Sequence, residues 1–193
     1  MSHTEQTERW TDTEAQWYAD NYGDWPTTRM PLNAVEWHGD ETVVDLGCGT
    51  GSSLRHLTTL CPSGRLIGIE PTPAMLAIAR KQTDEAGLSD RIDYQAGAAE
   101  AIPVADRCVD TVLAFSTYHH WQDIDASLTE ITRVLKPGGR LLLSEEPEIL
   151  NMHGFTLAEI ETRLNRAGMS IVGTQRLREA PAECDLIVAA WPA

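Results

Sequence analysis

The sequence predicts an α/β fold, a parallel sheet covered by helices, and three observations carry that prediction. Strand-type and helix-type patterns alternate along the chain. The first strand runs into the glycine loop Gly47-Cys48-Gly49-Thr50-Gly51, and a helix pattern follows at once. A later helical stripe, Ile124, Leu128, Ile131 and Leu135, is cut off by Pro137-Gly138-Gly139 just before another apolar strand. At 193 residues the chain suits one domain with a sizeable core. We read 1–193 as that domain, with 1–39 as an N-terminal helical cap, 40–150 as the ligand-binding core and 151–193 as a C-terminal helix and strand pair.

Taken in order, the chain opens with MSHTEQTERW, which has no apolar run and is not read as a signal peptide. Thr11 and Glu14 have capping-box spacing. Ala15, Tyr18, Ala19 and Tyr22 then fall on one helix face before Gly23. Trp10, Trp17 and Trp25 add aromatic area around that face. Strands are expected near 42–46, 65–70, 91–95, 109–115 and 140–145. A helix over Ser52 to Leu60 buries Leu54 and Leu57. Thr72-Pro73 reads as an N-cap and first-turn proline for a helix holding Met75 and Leu76. Thr156 and Glu159 form a second capping box, with Leu157, Ile160 and Leu164 as the buried stripe and Gly168 as the stop. The tail supplies two more strands, about 169–177 and 184–191. Only Pro147 to Phe155 separates the fifth strand from the capped helix, which implies an open pocket or one completed by a second subunit.

The chemistry concentrates at the first strand's end. Glycine permits a sharp turn and lets a ligand approach the backbone closely, and a loop entering a helix presents free N–H groups. A dinucleotide fingerprint would place its third glycine at position 52, where this chain has Ser52; the glycine comes one residue early, at Gly51. Asp45 sets a carboxylate beside the loop, which repels a pyrophosphate and suits a ligand bearing an ammonium group. A plain connecting turn is the alternative. Glu70, 25 positions on, ends the second strand, where an acid can accept from both hydroxyls of a ribose; a solvated strand-end charge would look the same.

Composition excludes several classes. The formal charge is −14, from 15 Lys plus Arg against 29 Asp plus Glu, with no basic cluster. Nucleic acid is therefore not an expected partner. No apolar run approaches membrane-spanning length. Cys48, Cys61, Cys108 and Cys184 show neither metal-ligand nor disulfide spacing and read as reduced thiols of a cytoplasmic protein.

Five motifs in order carry a family resemblance: VVDLGCGTG at 43–51, IGIEPTPAML at 67–76, GAAEAIP at 97–103, VDTVLAFSTYHHW at 109–121 and LKPGGRLLLSEE at 135–146. The chain resembles the class I S-adenosylmethionine-dependent methyltransferases, of the small-molecule type related to the quinone-biosynthesis C-methyltransferases. The likeness covers about residues 40 to 190. It implies a doubly wound, Rossmann-like seven-stranded sheet with an antiparallel last strand and helices on both faces. It also implies S-adenosyl-L-methionine as cofactor and a small-molecule methyl acceptor. The cofactor-binding positions it suggests are Asp45, Gly47, Cys48, Gly49, Glu70, Pro71, Met75, Ala98, Ala99, Phe115 and Ser116. Met75 is equally well read as ordinary core. Ala98 departs from the family pattern, which often carries an adenine-binding acid there; Glu100 and Gln95 are the nearby candidates to replace it. That departure keeps a non-catalytic cofactor-binding or scaffold protein as the alternative.

On the acceptor side, the segment from Phe115 to Trp121 follows the fourth strand. His119 and His120 are candidate bases for an oxygen or nitrogen nucleophile, with Glu145 a third, because imidazole titrates near neutrality. A histidine hydrogen-bonding within its own loop is the plainer alternative. Adjacent histidines point apart, and no carboxylate has ligand spacing, so no metal is expected. Tyr18, Tyr22, Arg29 and Tyr118 are candidates for the substrate or the methionine carboxylate, although a helix merely packed on the sheet would show the same stripe. The expected assembly is a monomer or homodimer.

Overall fold

A computed structural model describes residues 10–193. The reading of residues 1–9 as no signal peptide lies outside the described part. Strands β1 (Thr42–Leu46), β2 (Arg65–Glu70), β3 (Ile92–Ala96), β4 (Val109–Phe115), β5 (Leu135–Glu145), β6 (Ser170–Glu179) and β7 (Ala182–Ala190) form one sheet in the order β3-β2-β1-β4-β5-β7-β6. The pairs β1–β2, β1–β4, β2–β3 and β4–β5 are parallel, while β7 runs antiparallel to both β5 and β6. The strand order reverses between β1 and β4, and ligands of open parallel sheets bind outside the carboxyl ends at such a reversal.

Alternation along the strands divides the core into two apolar layers. Val44 and Leu46, Val112 and Ala114, Leu141 and Leu143 face one side, with Leu128, Ile131, Ile160 and Leu164 from α5 (Ile124–Val134) and α7 (Leu157–Arg166). Val43, Leu113, Phe115 and Leu142 face the other, with Leu54, Leu57, Leu76 and Ala79 from α3 (Ser52–Leu60) and α4 (Pro73–Glu85). Asp45 shares a face with Val43, so β1 brings a carboxylate into an otherwise apolar row.

The capping boxes form as the spacing predicts. Thr11 caps α1 (Asp12–Tyr22) and Thr156 caps α7, each with its Glu returning the bond. One expectation is corrected. Leu135 does not continue the helical stripe: α5 stops at Val134, and Leu135 enters β5 opposite Val109, because strand pairing there outweighs one more turn of helix. Thr72 and Pro73 take the expected N-cap and first-turn places of α4; the cap lacks a side-chain bond, and Thr72 N–H donates to Glu70 Oε1 at 2.9 Å. The stretch after β5 carries a short helix, α6 (Pro147–Met152), opened by its proline. Another short helix, α2 (Met30–Asn33), links the cap to the sheet.

Candidate active site

The glycine loop is held by its own backbone. Gly47 N–H and Cys48 N–H both donate to Ile69 O at 2.8 and 3.1 Å, and Gly51 N–H donates to Cys48 O. Gly49 N–H donates to Glu70 Oε2 at 3.1 Å. The expected free N–H groups are therefore largely used within the protein, and the loop forms no nest for a pyrophosphate. Two glycines are required for different reasons. Gly47, at φ +66°, presses on Thr117, which a Cβ would overlap; Gly49, at φ +52°, has nothing within 4 Å of where a Cβ would point. One glycine closes the turn and the other borders open space.

Two buried carboxylates face this loop. Asp45 is 2% exposed and has no side-chain hydrogen bond among the described residues. Burial, then the neighbouring Glu70, pushes its pKa up to about 8. Glu70 is 7% exposed; burial raises its pKa too, and the bonds from Thr72 and Gly49 partly offset this. Each Glu70 oxygen takes one backbone donor and keeps acceptor capacity for a second. A site with this much unneutralised acid fits a cation that also offers hydroxyl donors.

Around the carboxylates, Pro71 is exposed at the end of β2. Met75 is buried on α4 outside both apolar layers, whereas Phe115 is buried within one of them. Ala98 and Ala99 follow β3 in a tight turn in which Ala101 N–H donates to Ala98 O. Glu100 is turned elsewhere, with Oε1 accepting from Gln122 and Asp123 N–H; Gln95 Nε2 donates to Asp93.

The chain leaves β4 through Ser116, a non-glycine residue at φ +50°, with its N–H bound to Ser144 O at 2.8 Å. This left-handed residue re-aims the following turn over the carboxyl end of β5. There Glu145, 1% exposed, accepts from Tyr118 N–H at 2.7 Å and lies 2.9 Å from His119 Nδ1. Tyr118 turns inward, with its ring against Trp121 and Phe155, and burial pushes its pKa up to about 12. The adjacent histidines, expected to point apart, pack side by side because the turn here is not extended: His119 has the rings of His120 and His153 at centroid distances of 4.1 and 4.8 Å. His120 keeps an edge open to solvent, yet burial, then His119 and His153, pushes its pKa down to about 4.

The cap docks directly on the glycine loop. Thr50 Oγ1 donates to Gly23 O at 2.9 Å and Ser52 Oγ to Asp24 Oδ1 at 2.8 Å. Tyr18 is half-buried on α1; burial raises its pKa, followed by the charges of Glu146, Glu70, Tyr22 and Glu145. Tyr22 packs on Tyr18 and Trp25. Arg29 is drawn away from the site and pairs with Glu179 at the end of β6. His153, Glu146 and the Asp24–Ser52 link were not legible in the sequence, since each depends on elements that meet only in the fold.

Two cavities lie elsewhere. One, of about 390 Å³, sits at the amino ends of the strands among Asp110, Lys136 and Arg140; the other, of about 480 Å³, lies between α4 and β3. Lys136 is paired with Asp110 and Arg140 approaches Glu41 at 3.6 Å, which leaves the first without a converging set of free groups. No group of three or more metal-type ligands exists among the described residues. No described helix is long and apolar enough to cross a membrane.

A seven-stranded sheet with an antiparallel β7, a glycine loop after β1 and acids ending β1 and β2 together define the fold of S-adenosylmethionine-dependent methyltransferases. The chain belongs to the methyltransferase domain family, whose pattern matches residues 44–143. It is similar to a demethylmenaquinone methyltransferase of Thermus thermophilus, 35% identical over 105 residues, covering 54% of this chain and 47% of that protein. The chain spans less than half the length of several curated relatives it matches, from 32% to 47%. In fold it is similar to a Haloferax volcanii methyltransferase solved with the Trm112 methyltransferase activator (TM-score 0.80, 22% identity, 94% and 95% of the two chains). It also resembles the Haemonchus contortus phosphoethanolamine N-methyltransferase 2 solved with S-adenosyl-L-methionine (TM-score 0.78, 16% identity, 97% and 59%).

The residues present fit that cofactor on physical grounds. It carries a sulfonium and an ammonium and no phosphate. The loop offers two buried acids, few free N–H groups and open space beside Gly49.

Proposed function

We propose that the protein transfers a methyl group from S-adenosylmethionine to a small-molecule acceptor, releasing S-adenosylhomocysteine, as a cytoplasmic monomer or homodimer. The observation that carries this reading is Asp45, an acid only 2% exposed with no side-chain partner among the described residues, set against an acid that already has two. The bound cofactor supplies an activated methyl group on a sulfonium, so no protein nucleophile is required.

The protein's work is binding, orientation and exclusion of water. Asp45 holds the ammonium end beside Gly47, Cys48 and Gly49. Glu70, fixed by the Gly49 and Thr72 N–H groups, accepts from the ribose hydroxyls. Pro71, Met75, Ala98 and Ala99 border the adenine, with backbone taking the place of an acid at position 98. Phe115 and Ser116 wall the methyl group. Tyr18 and Tyr22 roof the site from the cap, and His119 and His120 face the acceptor. Tyr118 and Arg29 support it at one remove, one in the core beneath the histidines and the other tying the cap to β6. Isothermal titration with S-adenosylhomocysteine and with NAD tests the reading. Micromolar binding of the first and none of the second is expected; the reverse order would end the proposal.

A further inference from the structure

We propose that His119 is the base that accepts the acceptor's proton, that Glu145 is its positioning residue, and that the acceptor is an uncharged phenol-type hydroxyl. This rests on the methyl-transfer reading and deepens it.

Geometry comes first. Glu145 is 1% exposed and both its oxygens are committed, Oε1 to Tyr118 N–H and Oε2 to His119 Nδ1. A buried carboxylate accepts but does not donate, so the proton between them sits on Nδ1 and the lone pair is left on Nε2. Nε2 has no hydrogen-bond partner among the described residues, and it is not among the sealed, unpartnered polar atoms, which are Tyr118 Oη, Trp121 Nε1 and Ser144 Oγ. An oriented imidazole with a free, reachable lone pair is the arrangement a general base needs.

The surroundings then narrow the acceptor. His119 is faced by Glu145 and Glu146 from the end of β5, His120 from its own turn and His153 from behind α6. Tyr18 on α1 feels the charge of both glutamates, and Glu148 adds its charge to that at Glu146. None of these groups is Lys or Arg. An anionic acceptor, or a phenolate formed before reaction, would find no Lys or Arg among these groups, and the cofactor's sulfonium is already set against Glu145 and Glu146, so the proton leaves as the methyl arrives. A phenol at a pKa of about 10 lies within reach of imidazole, whereas an aliphatic alcohol does not. The acceptor oxygen donates a lone pair to the methyl carbon as the carbon–sulfur bond breaks, that bond's pair going to sulfur. Its proton passes to Nε2 and then to water.

The test uses the full chain saturated with S-adenosylhomocysteine and ¹⁵N-labelled at histidine. His119 should carry its proton on Nδ1 at pH 8, and Glu145→Gln, whose amide N–H would face the ring while its oxygen keeps the Tyr118 N–H, should move that proton to Nε2. A proton on Nε2 in the parent, or an unchanged tautomer in Glu145→Gln, overturns the pair. With catechol as probe, His119→Asn should lose at least about a hundredfold in kcat and the acidic limb of the pH profile, with S-adenosylhomocysteine binding within threefold of normal. The anionic 3,4-dihydroxybenzoate should be at least tenfold poorer in kcat/KM than catechol. A protein that binds S-adenosylhomocysteine yet methylates neither catechol nor unsubstituted phenol overturns the acceptor class. Failure to bind S-adenosylhomocysteine overturns the methyl-transfer reading, and the labelled histidine still decides the pair.

Discussion

Asp45 lies one residue before the end of β1 and Glu145 ends β5, and both are almost wholly buried. Asp45 finds no side-chain hydrogen-bond donor among the described residues, and burial drives its pKa to about 8. Glu145 has a backbone N–H on one oxygen and an imidazole on the other. Burial is the same, so the difference lies in what the fold supplies. Glu145 is structurally complete and orients His119. Asp45 keeps its acceptor capacity, which on the proposed reading is a place set aside for a cation.

Replacing the two residues should separate these roles. Glu145→Ala leaves a buried N–H and an imidazole unpaired and should cost about 3 kcal/mol of stability in urea unfolding. Asp45→Asn removes a buried charge that has no partner. It should leave stability at pH 8 equal to or above the parent's while weakening S-adenosylhomocysteine by about 2–3 kcal/mol in titration calorimetry. If both variants unfold alike, the contrast fails. Glu70 stands between them, partly satisfied and partly free. Glu70→Ala should weaken the same ligand by roughly 1.5–3 kcal/mol, and an unchanged dissociation constant would sink its ribose role.

A pH series sharpens the contrast further. Asp45 has a folded pKa raised above its unfolded value of about 4, so the ligand-free fold holds that proton more tightly than the unfolded chain. Its contribution to stability is full at acid pH and erodes as pH climbs from about 4 towards 8. An ammonium ligand reverses this by favouring the ionised form. Binding should release a proton below pH 8, with affinity rising by up to about 1.4 kcal/mol per pH unit and levelling above it. Calorimetry in two buffers of different ionisation enthalpy counts that proton, and Asp45→Asn should abolish it. The smallest effect is expected at Arg29, whose pair with Glu179 is solvent-accessible on both sides. Arg29→Ala should cost less than about 1 kcal/mol in stability and leave ligand affinity unchanged.

The loop half of the site was legible because its parts are neighbours in the chain. Asp45 and Gly47 to Gly51 are one strand–turn–helix unit, and Glu70 ends the next strand with the same spacing logic. The acceptor half was legible only as a short set of candidates. His119, His120 and Glu145 could be named as possible bases, but nothing in their spacing said which pair would meet. Tyr118 offers the sharper lesson. Its position beside two histidines suggested a site wall, yet a 3-10 turn alternates its side chains differently from a strand, and the ring turns into the core. Arg29 was similarly placed by residue type, whereas the partner that holds it lies 150 positions away.

By itself the sequence determined the alternating elements, the two capping boxes, the glycine turn and the acids that end β1 and β2. Local periodicity, backbone freedom and terminal hydrogen bonding act within a few residues, so they are written directly in the order of side chains. Tertiary structure alone decided that Leu135 leaves its helix for a strand, that β7 enters between β5 and β6, and that His153 lies beside His119. Those outcomes depend on which distant surfaces exclude water together, a competition among whole-chain packings that no short stretch of sequence contains.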